Sequence, residues 1–297
     1  MLVFSLEKFN YLARPLLKFL KLEAGKFTMR RFSNGELFLK IKNNAADQEC
    51  YVFGTFAPPD DNLLTLLLLA HTLNKESARE VIALVPYMGY GRQDKAEKNE
   101  SFGLALIGEL LAASKINKII TVDLHNTKSI PLLKLPVISL KSNILFASAL
   151  NKDKIKFNSI LAPDEGARER CEELSRALNF LQPIAYCKKT RGSSGISVSH
   201  IVGQLHGPRV LIHDDILDTG GTLIAACRAA RRAGAKEIII AVTHGIFTGT
   251  KWRQLWRLGV KIIYTTNSLP SAMTQKDQKI KILTITPLLT DYLAKKY

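Results

Sequence analysis

The sequence is short of the features that would assign it to a special class. It holds four cysteines in 297 residues. Cys50, Cys171, Cys187 and Cys227 are scattered, without the paired spacing of a metal site, which suits a reducing cytoplasm. The opening MLVFSLEKF lacks a basic flank before a long apolar core, so no signal peptide is expected. Long apolar runs are also missing. Leu63 to Leu73 is interrupted by Thr65, His71 and Thr72, whereas a bilayer span takes roughly 20 apolar residues. That run reads instead as a buried helix opened by Asp60, Asp61 or Asn62, and no membrane association is expected. Acidic residues are the scarcer charge, 26 against 42 basic ones, leaving a formal charge of +16. A basic surface serves nucleic acid, a small polyanionic substrate or solubility alone. The absence of a long basic tail or single basic block weighs against nucleic acid.

What is present is an alternation of short apolar runs with helical patterns, which predicts a parallel-sheet α/β architecture. Strands are expected at 2–5, 50–55, 81–85, 118–122, 159–162, 184–187, 210–213, 237–242 and 261–264. Helices are expected at 10–21, 62–74, 102–114, 142–150, 166–178, 222–233, 251–258 and 287–295. An internal echo bears on domain count. GELLAASKINKIITVDLH, ending at His125, aligns with ACRAARRAGAKEIIIAVTH, ending at His244. Upstream, EVIALVPYMGYGRQD then takes the place of RVLIHDDILDTGG. The echo implies two tandem related domains, 1–142 and 143–286, with the C-terminal helix 287–297 expected to pack on the first.

The most informative stretch is VLIHDDILDTGGTL, residues 210–223. It reads as a strand, a glycine turn and the start of an amphipathic helix. Ligands of open α/β sheets bind at such strand ends, and the free N–H groups of a helix start favour an anion. Gly220 and Gly221 let backbone approach a phosphate, while Thr219 and Thr222 add hydroxyls. Asp214 and Asp215 would repel a phosphate, so they need another partner, sugar hydroxyls or a divalent cation. Neighbouring strand residues face opposite ways, so both aspartates serve one ligand only if the strand has turned into loop there. The combined demand is a sugar phosphate.

HDDILDTGGT resembles the phosphoribosyl-diphosphate loop of the type I phosphoribosyltransferase fold. Alone it leaves a phosphoribosyltransferase and a diphosphate-forming kinase undecided. Four further segments, in matching order over essentially the whole chain, resemble the ribose-phosphate diphosphokinase (phosphoribosyl pyrophosphate synthetase) family. RFSNGE (31–36) is similar to its adenine-contacting loop, PYMGYGRQDK (86–95) to its ATP-site segment, DLH (123–125) to its metal and ATP-phosphate segment, and APDEGARER (162–170) to its second metal and ribose-phosphate segment. The resemblance implies that diphosphate passes from MgATP to the anomeric hydroxyl of ribose 5-phosphate. It assigns Phe32, Asn34, Glu36, Arg92, Gln93 and His125 to ATP. Asp214, Asp215, Asp218, Thr219, Gly220, Gly221 and Thr222 go to ribose 5-phosphate, and His125 and Asp164 to Mg²⁺. A Lys-x-Arg pair, Lys189 and Arg191 in CKKTRGSSG, is assigned to the transition state, with Lys188 the alternative lysine. It also implies a homo-oligomer of at least two chains, RFSNGE completing a neighbour's adenine site.

The residues also make sense unaided. Arg92 offers a guanidinium fork after the strand ending near Val85, and Asp164 suits both a cation and the N-cap of the next helix. Three departures from the family pattern stand out. Asn34 replaces an aspartate, KAEKNESFG (95–103) replaces a more arginine-rich loop, and Gly166-Ala167 replaces a double glycine. Two rivals remain. A phosphoribosyltransferase leaves Tyr87–Lys95 unexplained, and a non-catalytic regulator or nucleic-acid binder calls for a recognition helix or basic arm that the sequence does not present.

Overall fold

The computed structural model describes residues 1–192 and 195–295, without the side chains of 189–192 and 195–199. The chain forms two compact units, Met1–Leu140 with Thr286–Tyr297, and Lys141–Ile285. In the first, β1 (Leu2–Ser5) leads to α1 (Asn10–Leu20), β2 (Glu23–Ala24) and the hairpin β3 (Phe27–Arg31) and β4 (Leu37–Ile41). There follow β5 (Glu49–Phe53), α2 (Asp61–Lys75), β6 (Glu80–Leu84), α3 (Gly103–Ala113), β7 (Lys118–Val122) and β8 (Val137–Leu140). The second unit runs α4 (Asn143–Lys152), β9 (Ser159–Ala162), α5 (Arg168–Ala177), β10 (Ala185–Gly192), β11 (Gly195–Val202), β12 (Arg209–Leu217) and α6 (Gly221–Arg232). It continues with β13 (Glu237–Gly245), α7 (Gln254–Arg257), β14 (Val260–Thr266), α8 (Pro270–Met273) and β15 (Ile280–Leu283). Helix α9 (Thr286–Ala294) then packs on α1, back in the first unit.

Both sheets are built alike. The first has the order β2-β1-β5-β6-β7-β8, and the second β11-β10-β9-β12-β13-β14-β15. Every neighbouring pair is parallel except β10–β11, which is a hairpin. Counting only the parallel strands within each unit, both sheets read 2-1-3-4-5-6. This overturns the alignment drawn from the sequence echo. By position in the sheet, β5 and β6 correspond to β12 and β13, so the echo lies one strand out of phase. Parallel strands buried on both faces share one apolar vocabulary, and that is why a shifted match looks convincing.

The burial pattern explains the elements. In the second unit Val210 and Ile212 face α6, packing with Leu223, Ala226 and Ala230. Leu211 between them faces the other way, with Ile160, Phe146, Cys171 and Leu174. Such two-sided burial is what a sheet flanked by helices requires. In the first unit Val52, Val81 and Ala83 pack beneath Leu66, Leu69 and Leu73 of α2 and Leu104, Ile107 and Leu111 of α3. The β3–β4 hairpin, the edge strands β2, β8 and β15, and strand β11 had not been expected. The hairpin strands carry mixed residues, exposed or only partly buried, and so lack a core-type pattern. Among the described residues no helix is long and apolar enough to cross a membrane.

Candidate active site

A reversal of strand order leaves a crevice at the carboxyl ends of the strands on either side of it. In the second unit the reversal lies between β9 and β12. The loop after β9 carries Asp164, and β12 carries Asp214 and Asp215. The strand does not end at His213, as the sequence had suggested; it continues through both aspartates to Leu217. Nevertheless the two carboxylates converge. The ladder between β9 and β12 stops at Ile212, and beyond it the 3-10 turn Glu165–Ala167 and the first turn of α5 take the place of a strand. From that turn Arg170 reaches in. Its Nη1 lies 2.8 Å from Oδ1 of Asp214 and 2.9 Å from Oδ1 of Asp215. Asp214 Oδ1 also accepts the Asp215 N–H at 2.9 Å. Burial, reinforced by the neighbouring Asp215 charge and only partly opposed by Arg170, pushes the Asp214 carboxyl well above its ordinary range.

Directly after β12 comes the glycine turn. Gly220 has φ of +86°, and a Cβ there would lie 2.9 Å from the Trp252 Cα. Only glycine fits such a position without strain. The turn leaves Thr219 and Gly221 exposed and Thr222 half-buried at the start of α6. The first amides of a helix have no intrahelical acceptor, so this end of α6 can receive an anion. Asp218 is half-buried beside them. Asp164 already caps a helix start, its Oδ1 accepting the Ala167 N–H at 3.0 Å. The side chains of Lys189 and Arg191 lie outside the described residues, while their backbone pairs in the β10–β11 hairpin.

In the first unit Arg92, Gln93 and His125 are exposed on the loops after β6 and β7, two adjacent strands. Gly89 makes the first loop possible, because a Cβ there would come within 2.4 Å of the Phe56 carbonyl. The Gln93 carbonyl accepts the Leu104 N–H at 3.1 Å, which ties the 95–103 loop to the start of α3. Asp94, which the sequence reading did not single out, joins the two loops. It accepts hydrogen bonds from Asn126 Nδ2 at 2.6 Å and from Ser129 Oγ at 2.9 Å. Partial burial works against its ionisation, but these bonds and the nearby His125 outweigh it and hold the carboxyl below its usual range. Asp123, two residues before His125, adopts φ of +39°, an uncommon backbone state for aspartate.

Phe32, Asn34 and Glu36 lie in the turn joining β3 to β4, whose separate two-stranded sheet packs on α2. Phe32 is 45% exposed, and the Arg30 guanidinium lies over both Phe32 and Phe38. The Asn34 side-chain oxygen accepts the Glu36 N–H at 3.1 Å, so its first role is to shape the turn. Among the described residues no three His, Cys, Asp or Glu side chains cluster to hold a metal.

Comparison with known proteins agrees across the chain. Residues 1–114 match the family model described as the N-terminal domain of ribose phosphate pyrophosphokinase, and residues 132–268 match the phosphoribosyl transferase domain. The ribose-phosphate pyrophosphokinase of Bradyrhizobium diazoefficiens is 30% identical over 290 residues, covering 96% of this chain and 90% of its own. That of Campylobacter jejuni is 29% identical over 287 residues, covering 96% and 92%. The crystal structure of phosphoribosylpyrophosphate synthetase from Mycobacterium smegmatis superposes with a TM-score of 0.89 at 27% identity, covering 99% of this chain and 98% of that one.

Proposed function

The chain belongs to the ribose-phosphate pyrophosphokinase family and forms 5-phosphoribosyl 1-diphosphate from ribose 5-phosphate and ATP; we propose that its two units divide the substrates. The second unit takes ribose 5-phosphate and the first takes ATP. The convergence of Asp214 and Asp215 beside a glycine-opened helix start carries this reading. The carboxylates accept hydrogen bonds from the sugar hydroxyls. Asp218, Thr219, Gly220, Gly221 and Thr222 surround the 5-phosphate, which meets backbone N–H groups and hydroxyls instead of repelling charge.

On the first unit Arg92 pairs with ATP phosphates through its fork of donors, and Gln93 and His125 contact the same nucleotide. Phe32, Asn34 and Glu36 face the adenine. The exposed Phe32 and Met29 support a homo-oligomer in which this hairpin serves a second copy. The reaction is metal-dependent in this family, and we assign Mg²⁺: His125 on the first unit and Asp164 on the second would each help hold an ion together with substrate oxygens, and such an ion would supply charge neutralisation to the phosphate oxygens. Both substrates bring their own reacting groups, so the protein contributes mainly position and charge. The ribose anomeric oxygen attacks the β-phosphorus of ATP, its bond to the α-phosphate oxygen breaks, and AMP leaves. Lys189 and Arg191 meet the negative charge that develops on the transferred group. The buried cysteines, none of them disulfide-bonded, fit a cytoplasmic setting.

The test supplies ATP, Mg²⁺ and ribose 5-phosphate and identifies the nucleotide released. AMP formed in step with sugar consumption is expected, and ADP would overturn the reading. Lys189→Ala and Arg191→Ala should each lower kcat about 10²- to 10³-fold, and full turnover in both would remove them from the mechanism.

A further inference from the structure

The aspartate pair suits two kinds of ligand, neutral hydroxyls and a divalent cation, and the carboxylates by themselves do not choose. The side chain between them does. Arg170 is 18% exposed, against 10% for Asp214 and 4% for Asp215, and one guanidinium nitrogen lies within 2.9 Å of both carboxylates. We propose that Arg170 adapts this pair to a vicinal diol and closes it to a divalent cation. Because it acts through Asp214 and Asp215, it is a positioning residue that sets ligand specificity. The inference rests on the reading of the pair as the sugar site.

Two arguments carry it. The first is charge. Arg170 sets a fixed cation within 2.9 Å of both carboxylates, and a divalent ion entering the pair would sit beside it. A diol brings two neutral O–H donors instead, which meet no such repulsion from the guanidinium. The second is placement. The start of α5 is pinned on both sides of the arginine. The Cys171 thiol donates to the His213 carbonyl at 3.3 Å, immediately before the aspartates in β12, and the Arg168 guanidinium lies 4.7 Å from the Tyr186 ring centroid. Arg170 therefore keeps the carboxylates turned to the same side before any substrate arrives, although adjacent strand residues would otherwise diverge.

The experiment compares Arg170→Gln and Arg170→Lys in the full-length enzyme, with Asp215→Asn as a reference. Arg170→Gln should raise the KM for ribose 5-phosphate about tenfold or more, since charge-assisted contacts of this kind are worth that much. The KM for ATP should stay unchanged, and Arg170→Lys should restore most of the loss. Titration with Mn²⁺ alone, followed by electron paramagnetic resonance, should show an additional bound ion in Arg170→Gln. That ion should be absent from the wild type, from Arg170→Lys and from Arg170→Gln combined with Asp215→Asn. A raised KM in Asp215→Asn with an unchanged KM, or no new Mn²⁺ site, in Arg170→Gln overturns the role of Arg170 alone. An unchanged KM in Asp215→Asn means that the pair does not hold the sugar, and the reading beneath the inference falls first.

Discussion

The two units repeat one strand order and treat its reversal in opposite ways. In the second, between β9 and β12, the crevice is lined by Asp164, Arg170, Asp214 and Asp215, and the helix that follows opens on glycine. In the first, between β1 and β5, the corresponding place holds Leu6, Phe9, Phe53 and Phe56, all buried. Leu6 N–H bonds to the Phe53 carbonyl at 2.9 Å, and the rings of Phe9 and Phe53 are 6.1 Å apart. The helix after β5 starts with acids, Asp60 bonded to the Tyr90 hydroxyl and Asp61 paired with Arg31. An anion has no place at such a helix start. The same topology thus provides a polar crevice in one unit and a packed apolar corner in the other. The residues proposed for ATP on the first unit accordingly sit on neighbouring loops and on the β3–β4 hairpin. Fold alone therefore does not locate a site; the side chains at the reversal do.

Substitutions can break this contrast. The largest effect is expected for Phe9→Ala, which empties part of the apolar corner and should cost about 3–5 kcal/mol of stability. Denaturant titration measures that loss, and the KM for ribose 5-phosphate should be unaltered in the folded fraction. A changed KM would mean that the first unit's corner takes part in sugar binding. Next comes Gly220→Ala in the second unit. A Cβ there meets Trp252 and an unfavourable φ at once, so the turn shifts and the KM for ribose 5-phosphate rises by about tenfold. Stability should fall by only about 1–2 kcal/mol.

A smaller effect sharpens the account of the first unit. Asp94→Ala unties the loops bearing Arg92 and His125, so the KM for ATP should rise several-fold, on the order of one lost charged hydrogen bond, with the KM for the sugar unchanged. The folded Asp94 carboxyl lies below its ordinary value of 3.8. Its contribution to stability is therefore full above that value and disappears as pH falls through the depressed one. Wild type and Asp94→Ala should differ in denaturation midpoint at neutral pH and converge in strong acid.

Much of this was legible in the sequence where burial is continuous. The strands 2–5, 118–122 and 159–162 fall where their apolar runs place them, because a parallel strand covered on both faces has no polar interruptions. The glycine turn was legible too, since few residues other than glycine tolerate such geometry. Asp214 and Asp215 were recognised as important but misplaced in loop. Two adjacent acids inside a buried strand contradict local propensity, and a residue 44 positions away from Asp214 makes them tolerable. That residue, Arg170, stands in the quoted segment APDEGARER, yet nothing in its spacing marks it as the partner. Asp94 escaped notice for the same reason, its partners lying 32 and 35 residues downstream. The β3–β4 hairpin was missed because its identity depends on a turn shaped by Asn34 and on packing against α2, not on an apolar stripe.

Helix α9 gives the molecule an order of completion in time. It supplies Leu289 and Leu293 to the interior of the first unit, where it rests on α1. During synthesis the first unit therefore waits for Thr286–Ala294 to emerge. The second unit is one unbroken segment, Lys141–Ile285, and has all its strands and helices before that moment. The half that begins the chain is the later one to be finished, and a chain stopped at Ile285 would leave the second unit whole and the first without its closing helix.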